Sequence, residues 1–110
     1  MSRGSELSLP ARDVHGFLLD REQWNEDVAC RLATEEGVTL TPAHWEILHL
    51  LREYHAAHEH IPAMRALVSL VRRQLGPDKG NSPYLLQLFP GSPVRVAARI
   101  AGLPKPEHCL

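Results

Sequence analysis

The run Ser92-Pro93-Val94-Arg95-Val96-Ala97-Ala98-Arg99-Ile100-Ala101-Gly102-Leu103-Pro104-Lys105-Pro106 contains a helix and the reason it ends. Serine followed by proline is an N-cap followed by N1, since proline's fixed φ suits the first helical position and its missing N–H is one the helix leaves unbonded anyway. Gly102 stops the helix, and the alternate prolines that follow cannot resume it and bias the chain to an extended path. Residues 102–110 therefore read as an arm, whose geometry rests on Gly102, Pro104 and Pro106.

The same punctuation recurs upstream. Thr41-Pro42 and Ser82-Pro83 predict two more helix starts. Asp20, with Gln23 three residues on, predicts another, leading into Trp24, Val28, Ala29 and Leu32 at helical spacing before Gly37. A fifth helix starts near Pro62 and carries Met64, Leu67, Val68, Val71 and Leu75 to Gly76-Pro77. Before them, Leu7–Ala11 and Phe17–Leu19 flank the polar turn Asp13-Val14-His15-Gly16, which predicts a short β-hairpin. The expected fold is mainly α: a single domain over residues 1–110, a small bundle of about five short helices with an N-terminal β-hairpin and an extended, mobile C-terminal arm at 102–110.

Composition narrows the function. A length of 110 residues leaves no room for a second catalytic domain, and 44% hydrophobic with 23% charged residues fits a folded chain rather than a disordered one. A net charge of −1 and a pI near 6.6 argue against a uniformly basic nucleic-acid binder. That average hides a division: residues 1–60 carry five basic and eleven acidic residues, a formal −6, and residues 61–110 carry seven basic and two acidic, a formal +5. Two cysteines, Cys30 and Cys109, are too few for a disulfide scaffold and suggest a reducing compartment. The first ten residues lack a signal peptide's apolar run and no stretch is long enough to span a membrane, so a soluble cytoplasmic protein is expected.

Cys109 stands one residue from the end of the arm. Lys105 and His108 favour its thiolate, the form that attacks sulfur, while Glu107 and the terminal carboxylate oppose this. From position alone a free cysteine in a frayed tail is the better reading. Its surroundings decide: Ala101-Gly102-Leu103-Pro104-Lys105-Pro106, two residues, Cys109 and one last residue resemble the C-terminal signature of the DsrC/TusE family of sulfur-relay proteins. His44-Trp45 after Leu40-Thr41, Pro62-Ala63 with Arg65 and Leu67-Val68, Lys79-Gly80-Asn81-Ser82 with Tyr84-Leu85, and Leu88-Phe89-Pro90 resemble further landmarks in order. Gly16-Phe17-Leu18 and Trp24 extend the likeness over nearly the whole chain.

The resemblance implies a helical domain opened by a hairpin and a mobile arm whose penultimate cysteine carries sulfur. Family members with a second cysteine eleven residues earlier close an arm disulfide or trisulfide in sulfite-reductase chemistry; here that position is Ala98. The chain therefore looks like the single-thiol TusE branch, which implies a Cys109 persulfide taken from a TusBCD-like donor complex and passed to an MnmA-like tRNA thiolase for 2-thiolation of the wobble uridine. No metal or other cofactor is implied. Arg65, Arg99 and Lys105, at motif positions or on the arm, are the expected docking residues, together with His108. Gly91-Ser92-Pro93, Pro83 and Leu86 depart from the family pattern, which leaves the partners' identity open.

Other features are given plainer roles. His55, His58 and His60 sit at a helix end and read as a solvated terminus rather than a metal site. Trp24 and Trp45 fall on apolar stripes, and Cys30 falls opposite the apolar face of its helix, exposed and without a role. Two other functions stay open: a DsrC-like carrier in sulfur oxidation or sulfite reduction served by a DsrEFH-like complex, and a helix-turn-helix DNA-binding regulator using the basic second half.

Overall fold

The computed structural model describes residues 10–106. Five helices follow one another: α1 (Glu26–Glu35), α2 (Pro42–His58), α3 (Met64–Leu75), α4 (Ser82–Leu88) and α5 (Pro93–Ile100). No helix among the described residues is long and apolar enough to cross a membrane.

The cap-and-proline rule places α2 and α5 at Thr41 and Ser92 as expected. It misplaces α4 by one residue: Asn81, not Ser82, is the N-cap, because the Asn81 side chain accepts the Tyr84 N–H at 2.9 Å. The helix expected from Asp20 is likewise divided. Asp20 accepts from the Glu22 N–H and caps only a 3-10 turn at Arg21–Gln23, after which Asn25 accepts from Val28 and starts α1 afresh. Trp24 lies between the two in extended conformation, which frees its indole for a distant partner. Gly37 and Gly76, both with positive φ, end α1 and α3 where the sequence predicts.

The N-terminal β-hairpin is not present as strands among the described residues. A single antiparallel bridge joins Arg12 to Leu18, with Asp13 donating to the Phe17 carbonyl at 2.8 Å and Leu19 to the Ala11 carbonyl at 3.0 Å. Pro10 supplies no N–H to extend the ladder, and the Asp13 carboxylate binds the turn by accepting from His15 and Phe17, which holds its pKa below the usual value chiefly through the Phe17 bond. Residues 7–9 of the expected first strand lie outside the described residues.

The core gathers on α5, which packs against all four other helices. Ala97, Ala98, Ile100 and Ala101 are fully buried, and the three alanines allow close helix approach. Phe17, Leu32, Ile47, Leu48, Leu51, Leu67, Leu85 and Phe89 fill the space around them without exposed area. One polar group is built in: buried His44 accepts the Thr41 N–H on Nδ1 and donates from Nε2 to the Leu88 carbonyl at 2.8 Å, tying the start of α2 to the end of α4.

Candidate functional site

Cys109 and His108 lie outside the described residues. What can be built from the structure is the base from which they project. A helix leaves its last carbonyls without intrahelical donors, and at the end of α5 each of them finds one. Gly102, with φ +73°, sends its N–H to the Arg99 carbonyl at 3.2 Å, and Leu103 sends its N–H to the Ala98 carbonyl at 3.0 Å, the two bonds of a Schellman close. The Ile100 carbonyl accepts from the Trp24 indole at 2.8 Å, and the Ala101 carbonyl accepts from Arg52. The Arg52 guanidinium lies 3.9 Å above the Trp24 ring, so the two donors also hold each other. Burial, with Arg21 nearby, pulls the Arg52 pKa below its ordinary value.

Gly102 is required here for two reasons. Its backbone is left-handed, and a Cβ on it would stand 2.4 Å from Trp24 Cδ1. The beginning of the arm expected to be mobile is therefore fastened: Gly102, Leu103 and Pro106 are buried, and only Pro104 and Lys105 are exposed. Alternate prolines do give the extended path, but Leu103 is an apolar side chain with a core to enter, and the chain follows it in.

The expected docking residues are not brought together. Arg99 is spent inside the fold: one Nη pairs with Glu36, the other donates to the His15 carbonyl at 2.7 Å, and the guanidinium stands 5.1 Å from the Phe17 ring. It fastens the N-terminal turn to α1 and α5. Lys105 reaches across to the same turn, with Nζ 3.5 Å from His15 Nε2. Arg65 is on a different face, exposed on α3 beside Arg73. Cys30 is exposed on α1. Trp45 is partly buried and stacks on His49.

The three histidines point to different places. His60 meets the Tyr54 hydroxyl at 3.1 Å and His58 lies over the Tyr54 ring, whereas His55 is buried on the far side against Arg21, at 3.3 Å and 3.4 Å from its ring nitrogens. Among the described residues no three His, Cys, Asp or Glu side chains converge as a metal site would need. Burial first, then Arg21, holds the His55 pKa below its ordinary value.

Trp24 was legible as an apolar residue, but its capping of α5 was not, because the partner is 76 residues away. Arg52 was missed. Its signal is a lone arginine on α2 four residues after buried Leu48 and next to buried Leu51, at the edge of a stripe that should be apolar.

Pro106 opens on a groove of about 410 Å³ whose walls include Ile61, Met64, Leu86, Pro93 and Val94. Cys109 is three residues further along, so covalent geometry keeps its Cα within roughly 11 Å of Pro106.

Comparison with known proteins gives one consistent answer. Residues 6–110 match the family described as DsrC like protein. The chain is 47% identical over 98 residues to the sulfurtransferase TusE homolog of Haemophilus influenzae, covering 89% of this chain and 90% of that one. It is 42% identical over 107 residues to sulfurtransferase TusE of Sodalis glossinidius, covering 97% and 96%. The NMR structure of Allochromatium vinosum DsrC superposes with a TM-score of 0.81 at 43% identity, covering 89% of this chain and 88% of that one.

Proposed function

The chain belongs to the DsrC family, and from that premise we propose that it is a sulfurtransferase of the TusE kind, a carrier that holds sulfur on Cys109 in the relay for 2-thiolation of tRNA. The observation that carries this reading is the arm base: every carbonyl at the end of α5 is satisfied, so the arm leaves a fixed point three residues before a thiol next to the chain end. A carrier needs a reachable nucleophile held by a stable body, with no oxyanion hole and no metal.

The chemistry is two exchanges. The Cys109 thiolate attacks the outer sulfur of a donor persulfide R–S–SH; the donor S–S bond breaks, its electron pair leaves on R–S⁻, and Cys109–S–SH forms with the proton retained on the transferred sulfur. An acceptor thiolate repeats the step on Cys109–S–SH and regenerates the Cys109 thiolate. No external oxidant or reductant is consumed. The proposed donor is a TusBCD-like complex, the acceptor an MnmA-like tRNA thiolase, and the setting the cytoplasm. Lys105, His108 and Arg65 serve in docking, and Arg99 positions the turn beneath the arm.

The A. vinosum DsrC likeness favours a second reading, a carrier in dissimilatory sulfur metabolism, since its identity is comparable to that of the TusE relatives. Ala98 weighs against the two-thiol form of it: its methyl is fully buried in α5 and cannot pair with Cys109. Incubation with a small-molecule persulfide donor, followed by mass spectrometry, tests the carrier reading. One extra sulfur on Cys109 is expected; an equal adduct on Cys109→Ser would refute it.

A further inference from the structure

Between Ile61 and Pro106 the only acidic residue is Asp78, and the basic residues of that segment other than Lys105, which reaches His15, divide into two groups. Lys79 pairs with Glu46 at 2.8 Å and Arg99 with Glu36, both across to the acidic first half. Arg65, Arg72, Arg73 and Arg95 form no ion pair among the described residues. Arg95 is the most telling of them, since its Nε is buried with no hydrogen-bond acceptor among the described residues.

Three of these arginines border one continuous surface. The apolar groove beside Pro106 includes Arg95, and it shares Ala63, Met64 and Ser82 with a broad shelf along α3 that is bordered by Arg65 and Arg73. Arg65, Ser69 and Arg73 recur at i, i+4 and i+8, all exposed, so the shelf follows one side of the helix for about 12 Å. Among the described residues no acidic side chain lines either part. Leu86, at 42% exposure, is one of the few large apolar side chains left in solvent, and it stands in the groove wall.

We infer that this groove and shelf form the docking surface for an acidic segment of a protein partner, with apolar side chains seated between Met64, Leu86 and Val94 and carboxylates on Arg65, Arg73 and Arg95. Charge complementarity selects the occupant: unpaired arginines beside an apolar slot fit a segment that is acidic on one side and apolar on the other. RNA fits less well, because the one aromatic side chain among the described residues lining groove and shelf, Tyr54, is already engaged by His58 and His60, and the chain as a whole carries a net charge of −1. A partner seated there would lie within reach of Cys109, so docking and sulfur exchange would occur on the same side of the molecule.

This inference rests on the sulfur-carrier reading, and the test separates the two. The double variant Arg65→Glu/Arg73→Glu, with Arg65→Lys/Arg73→Lys as its conservative control, is compared with wild type in sulfur uptake from a small-molecule polysulfide and from the sulfur-charged TusBCD-like donor complex. Both positions are exposed, and matching thermal melts verify the fold. Polysulfide should load Cys109 equally in all three proteins, while uptake from the protein donor should slow by about tenfold or more in the glutamate variant, lose its dependence on salt, and be retained in the lysine variant. No loading of Cys109 by either source would refute the carrier reading itself. Equal uptake from the protein donor in all three proteins would overturn the docking surface alone, as would loss of tRNA binding with donor uptake unchanged. Faster polysulfide loading in Leu86→Ser would assign the groove to the protein's own tail and overturn the inference as well.

Discussion

At the C-terminal end of α5, Trp24, Arg52, Gly102 and Leu103 are committed to one another and to the last carbonyls of the helix. At its N-terminal end, Ser92 makes no side-chain cap, and among the described residues Arg95 keeps a buried Nε without an acceptor and an apolar groove lies beside Pro106. The two ends belong to one helix of eight residues. Their difference separates two requirements of a carrier. The arm needs a fixed origin, which comes from giving each of the last carbonyls of the helix a donor, and recognition needs groups with bonding capacity left over, such as the arginines that form no ion pair among the described residues.

Substitutions at the fixed end should therefore reduce stability, and substitutions at the open end should leave it alone. The largest effect is expected from Gly102→Ala, which meets both a left-handed backbone and the Trp24 ring; a loss of about 2–4 kcal/mol is expected in urea unfolding. An unchanged midpoint would mean that the arm base is not fixed in this way. Trp24→Phe keeps an aromatic ring but leaves the Ile100 carbonyl without its donor, and should cost about 1–2 kcal/mol.

The fixed end also carries a pH dependence. His55 lies beneath it, lining the same polar cleft as Arg21, Arg52, Glu59 and Leu103. Its folded pKa is below its ordinary value of 6.5, because burial and Arg21 disfavour the charged form. Between the two pKa values the unfolded chain binds more protons, so the stability this group contributes is complete above about pH 6.5 and declines as pH falls through the folded value. Thermal melts between pH 7 and 5 should show that decline in wild type and a smaller one in His55→Phe. The smallest effect belongs to the open end, where Arg65→Glu/Arg73→Glu should change stability by no more than about 0.5 kcal/mol. A large loss there would show those arginines to be structural and erase the contrast.

The sequence was informative where the deciding interaction is local. Thr41-Pro42 and Ser92-Pro93 place their helices because proline's fixed φ acts on the first helical position itself, even where, as at Ser92, the cap side chain makes no bond. Asn81 and Asn25 displaced the expected starts for an equally local reason, a better acceptor one residue before Ser82 and five residues after Asp20. The contacts that make the arm base were not legible, since Trp24 meets Ile100, Arg52 meets Ala101 and Arg99 meets Glu36 and His15 across 49 to 84 residues. Arg99 shows the consequence: its motif position and charge suggested a docking residue, and only the folded chain shows both of its Nη groups bonded to Glu36 and His15. Cys109 came the other way, from its motif and position alone.

The central claim is that sulfur passes through Cys109 on its way to tRNA. Reconstituted thiolation of tRNA with the donor complex and the thiolase, run with wild-type protein, without it, and with Cys109→Ser, tests that claim most directly. The account predicts 2-thiouridine formation that requires the wild-type protein and falls to the level of its omission with Cys109→Ser. Wild-type yield from Cys109→Ser would contradict it.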